Sequence, residues 1–86
     1  MAGRETEPFK VVGKRLATLR TGRGWSQRKL ADLLKQQQSY VAKLELAERR
    51  LDILDIAGLA AAFAMSPAEM TTYLLGAPDA GEPTAR

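Results

Sequence analysis

Apolar residues recur along this chain at spacings of three and four. Phe9, Val12, Leu16 and Leu19 form the first such stripe, as expected of a helix with one buried face. Pro8 suits the first turn of that helix, where a missing N–H costs nothing, and Gly22 and Gly24 stop it. Ser26 is a good cap for a second helix, whose buried face is Leu30, Ala31 and Leu34. Lys35, Gln36 and Gln37 interrupt the pattern, and Val41 and Leu44 restart it as one turn of a third helix. Asp52 followed by Asp55 has the spacing of a capping box, with Asp in place of the usual Glu. It opens a fourth helix with Ile53, Ile56, Ala57, Ala60 and Phe63 as its apolar face. Ser66-Pro67-Ala68-Glu69 starts a fifth helix, with Met70, Tyr73 and Leu74 on one side, and Gly76 ends it.

The pattern predicts an all-α, compact five-helix domain over residues 9–76. A loose arm precedes it (1–8) and a disordered-looking tail follows (77–86). No strand pattern or internal repeat is present. Helices 2 and 3, separated by a tight polar break, have the outline of a helix-turn-helix, whose second helix can enter the DNA major groove.

Composition narrows the function. The 86 residues include no cysteine and no histidine. Disulfides and thiolate metal sites are therefore excluded, and the commonest general base and usual zinc ligand are missing. No nucleophile–base pair can be assembled short of an unusual Ser–Lys arrangement, so an enzyme is not expected, and no cofactor. The first residues, MAGRETEPFK, lack the apolar run of a signal peptide, and no 18-residue apolar stretch exists. The expectation is a cytoplasmic protein with no membrane partner. The net charge of +3 conceals an asymmetry: residues 1–50 carry twelve basic and five acidic side chains, a net +7, and residues 51–86 one and five, a net −4. A basic half beside an acidic half suggests one face turned to a polyanion.

From about Val12 to Leu75 the chain resembles the phage repressor and Cro-like helix-turn-helix regulators of bacteria and their viruses. Leu16, Leu19-Arg20, Ser26-Gln27, Leu30-Ala31, Gln38-Ser39-Tyr40-Val41, Lys43-Leu44-Glu45 and Arg49-Arg50-Leu51-Asp52 carry the resemblance. It implies a lambda-repressor-like fold and a sequence-specific regulator, most simply a repressor. It would bind a palindromic double-stranded operator as a homodimer, in the bacterial cytosol or nucleoid. Two positions depart from the family. Lys35 and Ala47 stand where many members have glycine, and a left-handed backbone there costs a residue with a Cβ roughly 1–2 kcal/mol. Either these positions are strained or the turns differ; in the second case helix 3 runs on through Ala47 towards Arg49.

Candidate site residues follow from placement. Ala31 falls where two helices of a tight turn come close, and Val41 and Leu44 anchor helix 3 on the core. Gln37, Gln38, Ser39, Ala42 and Lys43 are left to face a partner. A glutamine amide presents a donor and an acceptor side by side, matching N6 and N7 of adenine. Gln38 is the first candidate reader and Gln37 the second, while Gln36 lies in the turn. Lys43 can reach a guanine edge or a phosphate, and the Ala42 methyl can pack on a thymine methyl. Tyr40 either gives its hydroxyl to a phosphate or only packs. Arg28, Lys14, Arg49 and Arg50 are candidates for backbone attraction. The resemblance implies that Gln27 meets a phosphate and that Arg20 pairs with Glu45 as a structural ion pair. Trp25 precedes the cap and staples the entry of helix 2. The predicted dimer surface is helix 5, with Met70, Tyr73, Leu74 and Leu75; burial in the core is the other place for those side chains. A competing reading is a helical interaction module that holds a partner protein, as an antitoxin holds its toxin.

Overall fold

The computed structural model describes residues 2–76, with side chains from Phe9 onward. Five helices follow in order: α1 (Ala2–Gly22), α2 (Gln27–Leu34), α3 (Gln38–Glu45), α4 (Ile53–Ala62) and α5 (Pro67–Leu75). No strand occurs among the described residues, and no single helix there is long and apolar enough to cross a membrane. The predicted tail lies outside the described residues. α1 starts at Ala2 rather than at Pro8, so the expected arm is helical from its second residue. Apolar periodicity begins only at Phe9, and a polar helical extension carries no such signal. Pro8 therefore lies inside the helix, where it removes one backbone hydrogen bond.

The core is built from Leu16 of α1, Leu30 and Ala31 of α2, Val41 and Leu44 of α3, Leu59 and Ala60 of α4, Phe63, and Met70 and Leu74 of α5. α1 packs on α3 and α5, α2 on α3 and α4, and α4 on α5. Trp25 is half-buried, with its ring centroid 4.9 Å from that of Phe63. Arg23 lies over both rings and donates to the Phe63 carbonyl at 3.0 Å, so the α1–α2 corner is fastened to the end of α4.

Each of the last four helices starts after an extended residue, and three of the caps use a side chain. Ser26 accepts from the Lys29 N–H at 3.0 Å. Asp52 and Asp55 form a complete capping box at 2.8 and 2.9 Å, as do Ser66 and Glu69 at 3.0 and 2.8 Å. Gln37 opens α3 with no side-chain bond to the helix.

α4 differs from its predicted face. Ile56, Ala60 and Phe63 turn inward, but Ile53 is 81% exposed and Ala57 is exposed, while Leu59 takes a core position. α5 differs more. Met70 and Leu74 are core side chains, and the half-buried Tyr73 donates its hydroxyl to the Arg15 carbonyl at 3.0 Å. Three of the four side chains assigned to a dimer surface thus seal α5 onto its own domain, because the small core has no other lid over α1 and α4. Leu75, 65% exposed, alone of the four faces outward.

Candidate nucleic-acid interface

The break between α2 and α3 turns on Lys35, which takes the left-handed conformation at φ 60° and ψ 43°. Its N–H reaches the Asp32 carbonyl at 3.1 Å and the Gln36 N–H reaches the Ala31 carbonyl at 2.9 Å, the paired closure of a Schellman end. Ala47, at φ 62°, closes α3 in the same way: its N–H bonds Leu44 at 3.2 Å and the Glu48 N–H bonds Lys43 at 2.8 Å. α3 therefore stops at Glu45, and the extension towards Arg49 does not occur. The left-handed turns that glycine would favour are made here by lysine and alanine. Ala64, at φ 59°, repeats the arrangement after α4.

Behind α3 the backbone of α1 comes very close. A Cβ placed on Gly13 would lie 2.3 Å from the Glu45 carbonyl oxygen and 2.9 Å from that of Leu44. The crossing of α1 and α3 thus depends on a residue with no side chain, at the end of α3.

Next to that crossing, the Glu45 carboxylate gathers a network. Arg20 grips it through Nε at 2.6 Å and through its second guanidinium nitrogen at 3.1 Å. Arg20 also donates to the Trp25 carbonyl at 2.8 Å. The two side chains are 13% and 7% exposed, so the expected pair forms and is largely buried. Gln27 donates its amide to Glu45 at 3.0 Å, and its carbonyl accepts from the Gln38 amide at 3.3 Å. An unbroken chain of bonds therefore runs from α1 through the end of α3 and the start of α2 to the first residue of α3. In the sequence Gln27 reads as a phosphate anchor; in the structure it ties Gln38 to Glu45. The bond to Gln27 uses one amide hydrogen of the exposed Gln38 and leaves the other hydrogen and the carbonyl oxygen, a donor and an acceptor of the kind a bidentate contact to adenine requires.

Gln37, Gln38, Ser39 and Lys43 are all exposed on the same side of α3, with Arg28 exposed on α2. Tyr40 borders the same pocket as Gln37, Ser39 and Lys43, but it is half-buried where they are exposed. Its hydroxyl donates to Asp55, so of its two expected roles the structure shows the packed one. Asp55 is 7% exposed and also accepts from Arg49 at 3.2 and 3.3 Å. The Arg49 guanidinium lies 4.9 Å from the Tyr40 ring centroid. Burial raises the Asp55 pKa, but the bonds from Tyr40, the Asp52 N–H and Arg49 outweigh it and hold the carboxyl below its ordinary value. Burial, followed by the bond to Asp55, pushes the Tyr40 phenol up to about 12. The sequence pattern marks Asp55 only as a capping residue and shows neither this cluster nor the role of Gly13. An acid inside an otherwise apolar segment was the available signal for the first; nothing marked the second.

Five helices, a left-handed turn between α2 and α3, and an exposed polar face on an anchored α3 together form a helix-turn-helix. The helix-turn-helix family profile matches residues 16–70, well over half of the chain. The chain belongs to the Cro/C1-type helix-turn-helix family. Among solved structures it is similar to the restriction-modification controller protein C.AhdI from Aeromonas hydrophila. The two share 37% identity over 72% of this chain and 94% of that one, with a TM-score of 0.67. It also shares its fold with the clp gene regulator ClgR from Corynebacterium glutamicum, at 22% identity over 80% of this chain and 88% of that one, with a TM-score of 0.70. No curated protein matched the sequence. The fold is thus that of DNA-binding transcriptional regulators.

Proposed function

We propose that this helix-turn-helix protein is a sequence-specific, double-stranded DNA-binding regulator and not an enzyme. It acts as a repressor by laying α3 into the major groove of a palindromic operator as a homodimer. The observation that carries this reading is the bond chain from Arg20 through Glu45 and Gln27 to Gln38. It gives the amide of the first α3 residue a bonded partner within the domain, which restrains it relative to a fully solvated glutamine. A held amide discriminates among bases; a loose one loses conformational entropy on every contact. Gln37, Ser39 and Lys43 add exposed polar groups along the same face. The 37% identity to a restriction-modification controller supports a regulatory role.

The second copy meets this chain away from the buried side of α5. Ile53 and Leu54 are 81% and 78% exposed, and Leu75 is 65% exposed. Ile53 and Leu75, with Phe9, Leu51 and Ile56, border a groove of about 350 Å³. Large apolar side chains this exposed mark an association surface. Residues 46–52 connect that surface directly to the end of α3, so pairing through it couples the two reading helices by a short path.

Selection of binding sites from random duplex DNA tests the proposal. The expected product is an inverted repeat with half-sites one helical turn apart, 10–10.5 base pairs centre to centre in the standard geometry. Enrichment of no sequence would overturn specificity. An enriched single half-site would overturn the homodimer.

A further inference from the structure

We infer that Arg49 and Lys43 form a slot for one backbone phosphate of the bound duplex, and that Asp55 is the positioning residue that holds Arg49 there. This rests on the DNA-binding reading. Gln36, Gln37, Ser39, Tyr40, Lys43 and Arg49 line a pocket of about 290 Å³. It opens beside the candidate reading face of α3, and its two charged walls are both cationic. Ser39 and the glutamines supply neutral donors. A phosphodiester oxygen matches that set.

The role of Asp55 follows from geometry. One terminal nitrogen of Arg49 is held by both carboxylate oxygens, and the guanidinium lies over the Tyr40 ring. The carboxylate is itself fixed by the Tyr40 hydroxyl and by the Asp52 N–H at 2.9 Å. An arginine has five donors on a planar fork. Asp55 engages one nitrogen, and the others remain to meet an anion from the open side. The exposed guanidinium is thereby aimed before the anion arrives, which reduces the ordering cost of the contact. A purely structural ion pair would not need its cation on the wall of a pocket shared with the reading helix.

The test measures affinity for a mixed-sequence 24-base-pair duplex over a range of salt concentrations, which needs no knowledge of the operator. Each phosphate neutralised contributes about −0.9 to the slope of log K against log salt. Arg49→Gln should make the slope shallower by about 0.9, so that fourfold dilution of salt strengthens binding about 3.5-fold less than in the wild type. Asp55→Asn raises the net charge by one and keeps Arg49, yet it should weaken binding and move the slope towards that of Arg49→Gln. Combined with Arg49→Gln it should add no further loss of affinity. Tyr40→Phe leaves the capping box intact and should give a smaller loss in the same direction. It supplies the readout if Asp55→Asn does not fold, which urea unfolding shows. An unchanged slope in Arg49→Gln would overturn the slot. Tighter or unchanged binding in a folded Asp55→Asn, or in Tyr40→Phe where Asp55→Asn is unfolded, would overturn the positioning role. Failure of the wild type to bind any duplex would instead overturn the DNA-binding reading itself.

Discussion

Gly13→Ala adds one methyl group at the tightest point of the fold. Its carbon would sit 2.3 Å from the Glu45 carbonyl oxygen, where ordinary contact begins at 3.4 Å. The obstacle is backbone, so no rotamer change relieves it, and α1 and the end of α3 must separate by about 1 Å. Overpacking of this kind costs about 1–3 kcal/mol. The better helix propensity of alanine returns about 0.5–1 kcal/mol. We predict a net loss of about 1–2 kcal/mol, or a fall in Tm of roughly 5–15 °C for a domain of this size. Because the displaced residue is Glu45, the bonds to Arg20 and Gln27 lengthen together, and the aim of Gln38 goes with them. Affinity for a selected operator should therefore fall more than the stability loss alone explains, at temperatures where the variant is fully folded. Gly22→Ala is the control. A Cβ there meets nothing within 4 Å, so it should be neutral or slightly stabilising. Urea unfolding of both variants decides the matter. If Gly13→Ala matches Gly22→Ala in stability, the close approach of α1 and α3 does not limit the fold and the reasoning fails.

Four further outcomes follow from the structure. Glu45→Ala strands a largely buried Arg20 and should cost about 3–5 kcal/mol in chemical denaturation; a loss under 1 kcal/mol would show that the pair is solvated. Replacing Lys35, Ala47 or Ala64 with glycine removes about 1–2 kcal/mol of left-handed strain against about 0.5–1 kcal/mol of added chain entropy, so each should raise the urea midpoint slightly; lower midpoints at all three would refute the strain. The Asp55 carboxyl is depressed in the folded state, so its stabilisation is present above about pH 4 and is lost as pH falls through its folded value. The Tyr40 phenol is raised, so its contribution is lost from about pH 10 to about 12; Tyr40→Phe should flatten that alkaline decline in urea midpoints. Paired substitution Ile53→Asp and Leu54→Asp should leave a folded monomer by light scattering, whereas Leu74→Asp should unfold the chain; an unchanged dimer would remove α4 from the interface.

Much of this was visible in the sequence because the signals were local. The Asp52–Asp55 and Ser66–Glu69 boxes act within one turn, and Leu16, Leu30, Val41 and Leu44 fall on stripes that any helical period reveals. Lys35 and Ala47 stand where the family resemblance places glycine, and their backbones are left-handed. What could not be seen depends on contacts between distant segments. Gly13 meets Glu45 across 32 residues of chain, and Tyr40 meets Asp55 across two helices. The period of α4 does not tell whether Ile53 meets the core or projects beyond it, because that depends on how far α5 extends over its first turn. The sequence leaves Met70 and Leu74 open to a partner or to the core, because it does not show how little else closes the core. The resemblance gives Gln27 a phosphate and does not show the two bonds its amide makes within the domain.

The most direct test of the central claim measures the affinity of wild-type and Gln38→Ala protein for the selected operator and for its single-base variants. The account predicts that the wild type prefers adenine at one position in each half-site by about 1–3 kcal/mol, and that Gln38→Ala loses this preference there while keeping its stability and its selectivity elsewhere. An identical base preference in Gln38→Ala, or equal affinity of the wild type for every variant, would contradict it.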